Sequence, residues 1–244
     1  MMHAEKELTI SEHFRNIMSR PGPRTQKLNW QSLGIEPLDL AGLDDPFSEA
    51  EICKAIGEMP ADKPLGLDGF TRRFFRAWWD IIKEDIVAAF KSPYDIRHIH
   101  SNLLNSANIV LIPKKEGADR VGDYRPISLI HGFPKIFSKV LFLILRPIMH
   151  SLISTNQSAF IHGRSIHDNF MYVRNTLRRY HKNKSPVLLF KLNISKGFDS
   201  MRWDYLLVLM QHWGFPQQWH DWITSLLTTS SSKILLTTSS SLRS

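Results

Sequence analysis

A single cysteine, Cys53, stands among 244 residues. One thiol can form neither an internal disulfide framework nor a cysteine-based zinc site. The eleven histidines are scattered. Their closest pair, His98 and His100, has no third ligand nearby and reads as surface. No apolar run is long enough to suggest a membrane span. The opening stretch, Met1 to Arg20, is charged and lacks a signal-peptide core, which predicts an intracellular setting without distinguishing nucleus from cytoplasm. Acidic residues are also scarce, with 23 Asp and Glu against 31 Lys and Arg and a formal net charge of +8. That balance favours an anionic partner, and nucleic acid is the commonest, although a merely soluble basic protein would carry the same charge.

What is present is globular material. Apolar residues make up 43% of the chain, and seven Trp and fourteen Phe supply bulk for a core. This excludes a disordered chain and leaves room for one large domain or two small ones. Residues 1–60 read as an N-terminal extension, with Arg20-Pro-Gly-Pro-Arg24 breaking any helix there. Ser48 is placed to cap a helix running to about Met59, with Ile52, Ala55 and Ile56 at helical spacing. A turn-rich loop, Lys63 to Gly69, precedes one predicted helix from Thr71 to Phe90. Asn108 to Pro113 reads as a short buried strand, Pro126 to Leu129 as extended chain, and Phe133 to Met149 as an apolar helix that Pro147 can kink near its end. A further helix is predicted over Asp168 to His181, capped by Asp168. It turns Phe170, Met171, Val173 and Leu177 inward and Arg174, Arg178 and Arg179 outward. Val187 to Ile194 has the strongest strand pattern. Helices follow over Trp203–Trp213, stopped by Gly214, and from Pro216 to about Leu227. Their Trp203, Leu206, Leu207, Met210, Trp213, Trp219 and Trp222 read as core. A weak strand, Lys233 to Thr238, runs into a Ser-rich tail. Leu226-Leu-Thr-Thr-Ser-Ser-Ser232 recurs from Leu235 to Ser241, too short a duplication for a repeat architecture.

Three segments combine polar residues with turns in ways a core does not require. Lys114, Lys115 and Arg125 stand at strand ends, where cations can converge on a phosphate, and the planar guanidinium fork suits phosphate oxygens. The same residues also fit a basic surface hairpin. In Asn156 to Asn169, Gly163 beside Arg164 allows backbone and charge to approach an anion closely. In Lys191 to Asp199 a strand turns toward a helix. Magnesium there would want carboxylate oxygens, yet position 193 is an amide and only Asp199 is acidic within the turn.

Taken in order, these pieces resemble one family. Leu65-Gly-Leu-Asp-Gly-Phe70 is similar to the Gly-Pro-Asp-Gly-Phe segment of non-LTR (LINE-type) retrotransposon reverse transcriptases. Ile109 to Lys115, Tyr124-Arg-Pro-Ile-Ser-Leu129, Gln157-Ser-Ala-Phe-Ile-His-Gly-Arg164 and Leu192 to Asp204 follow as they do in the family, covering about residues 50–236. The resemblance implies an α+β, right-hand polymerase fold holding the fingers (residues 61–185) and the first part of the palm (residues 186–244). It implies RNA-directed DNA synthesis with two magnesium ions. Lys114 or Lys115, together with Arg125, would contact the incoming triphosphate, and Arg164 from the next fingers block is grouped with them. Phe198 would be the steric gate against a ribose 2′-hydroxyl, and the carbonyl of Ile194 would face a metal.

The departures carry as much weight. Asn193 stands where the family has its first metal-binding Asp, Gly197 replaces Ala before the gate, and Leu67 replaces Pro. Thr237 and Thr238 replace an Asn-Gly turn. The sequence as read stops short of the family's Asp-Asp box, which predicts a truncated, inactive copy that binds no magnesium productively. Two further expectations stand beside it: a residual fragment with weak, non-specific affinity for RNA or DNA, or a translated relic without function.

Overall fold

The computed structural model describes residues 3–18, 22, 29–60, 66, 68–91, 105–193, 197, 201–228 and 231–235. The elements in chain order are helix α1 (His3–Met18), a 3-10 turn (Ala41–Asp44), α2 (Glu49–Glu58), α3 (Arg72–Ala77), α4 (Trp79–Lys91), strand β1 (Ser106–Pro113), β2 (Tyr124–Ile130), α5 (Gly132–Leu145), a short α6 (Met149–Leu152), α7 (Ile166–Lys182), α8 (Trp203–His212), α9 (Gln217–Thr228) and β3 (Ser231–Leu235). They form two compact units. One is Met1–Lys139 with Phe198–Ser244, and the other is Val140–Gly197. The mixture of helices with one small sheet is an α+β arrangement.

Local sequence explains most of the first unit. At α2, Glu51 N donates to Ser48 Oγ (3.2 Å) and Ser48 N donates to Glu51 Oε2 (2.9 Å). This reciprocal capping satisfies two donors that a helix start leaves orphaned. The same helix buries Ile52, Ala55 and Ile56. The single helix expected over Thr71–Phe90 is two helices. Thr71 caps α3, and Trp78, at φ −108 and ψ 14, separates it from α4. No proline or glycine marks that break, so helical spacing alone runs straight through it. The stop at Gly214 is as expected. Gly214 lies at φ +86, and an added Cβ would fall 2.7 Å from the Leu38 carbonyl oxygen, so glycine alone suits the position.

An aromatic cluster forms the core. The Trp222 ring of α9 lies 4.7 Å from Phe47 and 6.0 Å from Phe137, and Phe90 lies 5.4 Å from both phenylalanines. Trp219 is fully buried, and its Nε1 donates to the Leu43 carbonyl at 2.8 Å. Met210 is the one buried side chain of α8, and Trp203 is about half exposed. The sheet order is β2-β1-β3. β1 pairs antiparallel with β2, with Ile109 opposite Ser128 and Ile112 opposite Arg125. It pairs parallel with β3, with Ser106 opposite Ser231. The last strand thus begins two residues before its expected start.

The second unit departs from expectation in three ways. Ser165, not Asp168, caps α7: His167 N donates to Ser165 Oγ at 3.1 Å, and Asp168 falls in the first turn. The apolar side of α7 does not face inward, since the helix has no buried residue, and Phe170 is 63% exposed. Val187 to Asn193 forms no strand, and Leu188 and Phe190 are 88% and 75% exposed. A strand exists only where a neighbour takes its N–H and C=O groups, and no described strand pairs with this one. Ile194, the end of the expected strand, lies outside the described residues, as do His98, His100 and the break at Arg20–Arg24, apart from Gly22.

Two expectations follow from this packing. Trp219→Ala removes a buried indole and its hydrogen bond, and should lower stability by about 3–5 kcal/mol in denaturant titrations. The unpaired apolar segment is a template for association. Leu188→Lys with Phe190→Lys should therefore raise the monomeric fraction in sedimentation velocity. A parent chain already monomeric at tens of micromolar would contradict this.

Candidate nucleic-acid and nucleotide site

The β1–β2 hairpin presents the cations that the sequence singled out. At its turn end Lys114 N donates to the Asp123 carbonyl at 2.8 Å, and Lys114 Nζ donates to the Gly122 carbonyl at 2.8 Å. Lys115 Nζ pairs with Asp123 Oδ1 at 2.9 Å. Asp123 Oδ2 also accepts from Arg120 N at 3.4 Å, and the Tyr124 hydroxyl donates to the Ala118 carbonyl at 3.0 Å. The loop is therefore held by its own side chains. Lys115 beside Asp123 is the main cause holding that carboxyl below its ordinary value, partial desolvation opposes it, and the Arg120 amide adds to the lowering. A lowered folded-state value means that the pair's contribution is present above the ordinary carboxylate range and is lost as pH falls through the lowered value. At a surface such a pair contributes little to stability. Its consequence is chemical: Lys115 is already neutralised locally and Lys114 already bonded. Arg125 is exposed on β2 opposite Ile112, and no described acidic group pairs with it.

Arg164 is placed differently. It belongs to the second unit. Its NH1 donates to the carbonyls of Ser154 (2.5 Å) and Gln157 (2.7 Å), and NH2 donates to that of Ile153 (3.0 Å). Gly163, at φ +76, turns the chain just before it, and Asn169 Nδ2 adds a bond to the Asn156 carbonyl at 3.0 Å. Five donors in a fixed fork suit this task, because a loop without regular structure leaves several carbonyls to satisfy. The guanidinium is thus engaged in organising the 153–164 loop. That role was not visible in the sequence, where Gly163-Arg164 resembles an anion loop equally well.

Asn193 is exposed at the end of the unpaired segment. Ile194, Phe198 and Asp199 lie outside the described residues. Further on, Arg202 grips Asp204 through two bonds, at 3.0 and 2.7 Å, at the start of α8. That pairing engages the last carboxylate of the motif with a guanidinium. Among the described residues no group of three or more His, Cys, Asp or Glu is gathered as a metal site, and no helix is long and apolar enough to cross a membrane.

Residues 112–242, which take in part of the hairpin, Arg164 and the Asn193 segment, match the family described as reverse transcriptase (RNA-dependent DNA polymerase). The chain belongs to the reverse transcriptase family. It is 29% identical over 191 residues to the transposon TX1 uncharacterized 149 kDa protein of Xenopus laevis, covering 75% of this chain and 14% of that protein. It is 30% identical over 119 residues to the retrovirus-related Pol polyprotein from type-2 retrotransposable element R2DM of Drosophila melanogaster, covering 48% of this chain and 11% of that one. The chain therefore spans about a seventh or less of these curated relatives. Together they place it among the reverse transcriptases of non-LTR retrotransposons, a family whose members bind nucleic acid.

The Arg164 geometry can be checked directly. Arg164→Ala leaves the carbonyls of Ile153, Ser154 and Gln157 without their donor, at about 1–3 kcal/mol for a charge-assisted set. Amide hydrogen exchange in peptides covering 153–169 should accelerate at least about fivefold. Arg164→Lys should restore little of it, because an ammonium lacks the fork. Unchanged exchange in Arg164→Ala would remove the loop-organising role.

Proposed function

We propose that this chain is the fingers and first palm segment of a non-LTR retrotransposon reverse transcriptase that has kept affinity for nucleic acid and nucleotide and has lost polymerisation. The observation that carries the loss is Asn193. It occupies the place of the family's first metal-binding Asp in an otherwise closely kept segment, Leu192 to Asp204. An amide keeps the shape of a carboxylate without its charge, and magnesium is held chiefly by hard anionic oxygens. The donor set at this position therefore does not fit a magnesium ion, and no catalytic step is assigned through one. Phe198 remains in the position of the steric gate and Ile194 in that of the backbone donor. Residues 61–185 correspond to fingers and 186–244 to palm.

Retained binding is supported by the net charge of +8 and by the cations of the hairpin. Of these, Arg125 is the one best placed to meet a triphosphate, because Lys114 and Lys115 are engaged within their own loop. Any contact by Lys115 would have to compete with Asp123. Affinity for RNA or single-stranded DNA should be on the order of micromolar or weaker, without sequence preference, and should fall steeply with salt.

The test is a primer-extension assay on an RNA template run beside anisotropy titrations at two salt concentrations. The expected result is no extension with magnesium or manganese, and salt-sensitive binding that Arg125→Ala weakens. Template-dependent synthesis by the purified chain would overturn the loss of activity. Binding that neither salt nor Arg125→Ala affects would overturn the retained site.

A further inference from the structure

We propose that Asp68 is a positioning residue that locks the open end of the β1–β2 hairpin and thereby sets Arg125 at its far end. The inference rests on the reading of Arg125 as a triphosphate contact, but the lock itself can be tested without it. Residues of the Gly66–Phe70 segment form a tight turn. Gly69 N donates to the Gly66 carbonyl at 3.2 Å, Phe70 N donates to Asp68 Oδ1 at 3.2 Å, and Gly69 lies at φ +72. This turn docks against Ile130–Gly132, the corner where β2 gives way to α5. An added Cβ on Gly66 would overlap the Ile130 carbonyl, and one on Gly132 would fall 2.6 Å from the Phe75 ring. Neither position has room for a side chain: Gly66 meets the corner backbone to backbone, and Gly132 lies under the Phe75 ring of α3.

Asp68 converts that contact into a lock. While Oδ1 closes its own turn, Oδ2 accepts from Gly132 N and stands 3.6 Å from His131 Nδ1. The other ring nitrogen, Nε2, is 3.1 Å from Ser106 Oγ. Ser106 opens β1, one residue before the antiparallel register begins at Ala107 and Ile130. One carboxylate therefore reaches the first residue of β1, through His131, and the first residue of α5, directly. The side chains of Asp68 and His131 are 17% and 19% exposed, so water competes weakly for these contacts.

The hairpin is thus held at both ends. Lys114, Lys115 and Asp123 hold the turn end, and Asp68, His131 and Ser106 hold the open end. A strand fixed at one end only can shift along its neighbour, and such a shift moves every side chain it carries. Arg125 sits on β2 five residues from Ile130 and would move with it.

The test uses the whole chain and two readouts. Hydrogen exchange monitored by mass spectrometry reports the hairpin without any ligand, and titration with a fluorescent deoxynucleoside triphosphate reports Arg125. In Asp68→Ala, exchange across residues 106–113 and 124–132 should rise, and triphosphate affinity should fall about fivefold, the scale of one lost hydrogen bond. In an Arg125→Ala background, Asp68→Ala should leave the remaining triphosphate affinity unchanged, because the effect passes through Arg125. General destabilisation would instead lower both backgrounds alike. His131→Gln, which breaks the link to Ser106 and spares the Asp68–Gly132 bond, should reproduce the faster exchange even if Asp68→Ala folds poorly. Unchanged exchange in His131→Gln, or additive losses in the double variant, would overturn the proposal. A parent chain that binds no triphosphate would instead overturn the Arg125 reading, and the exchange results would still decide the lock.

Discussion

The packing of Trp222 against Phe47 and Phe137, with Trp219 at its side and Phe90 against both phenylalanines, is the constraint on which the first unit depends. Phe47 lies just before α2 and Phe137 within α5, Trp222 of α9 packs against both, and Phe90 at the end of α4 completes the cluster through the two phenylalanines. Each ring buries a large apolar area, and edge-to-face geometry adds to that burial. The Trp219 indole also has its N–H satisfied by the Leu43 carbonyl, which removes the penalty of a buried donor. The position of α5 matters beyond the core. Its first residue, Gly132, is the point at which β2 ends and Asp68 binds. The aromatic cluster and the cationic hairpin are therefore joined through one helix.

Two kinds of charged residue can be separated in this protein. Lys115 and Arg164 look free in the sequence and are engaged in the structure, one by Asp123 and the other by backbone carbonyls. Arg125 is exposed on a strand whose geometry is fixed by its neighbours. For recognition of a phosphate this difference matters, because a cation already paired must give up that partner before it gains another. An excess of positive charge thus overstates the number of groups ready to meet an anion.

The second unit has the opposite character. Its helix α7 buries none of its side chains, and the apolar segment after it has no paired neighbour among the described residues. Hydrophobic sequence therefore marks where burial is needed, and it does not supply the partner. Asn193 ends that segment, exposed and without a paired strand among the described residues.

How much the amino-acid sequence determined depends on the distance over which each signal acts. Ser48 and Glu51, three positions apart, specify the start of α2, and Gly214 specifies the stop of α8, because both act within one helical turn. The helices over Ile166–Lys182 and Gln217–Thr228, the paired segments of β1 and β2 and the reverse transcriptase blocks were legible for the same reason: each is a local pattern of residue types. Tertiary structure decided what depends on meeting a distant partner. The break at Trp78 carries no local marker. Asp68 and Gly132 meet across 64 positions, Arg164 selects carbonyls rather than an anion, and Val187–Asn193 has the composition of a strand without a paired neighbour. A residue's chemistry is written in its type, but what satisfies its hydrogen bonds and charge depends on which groups the fold places within about 3 Å of it.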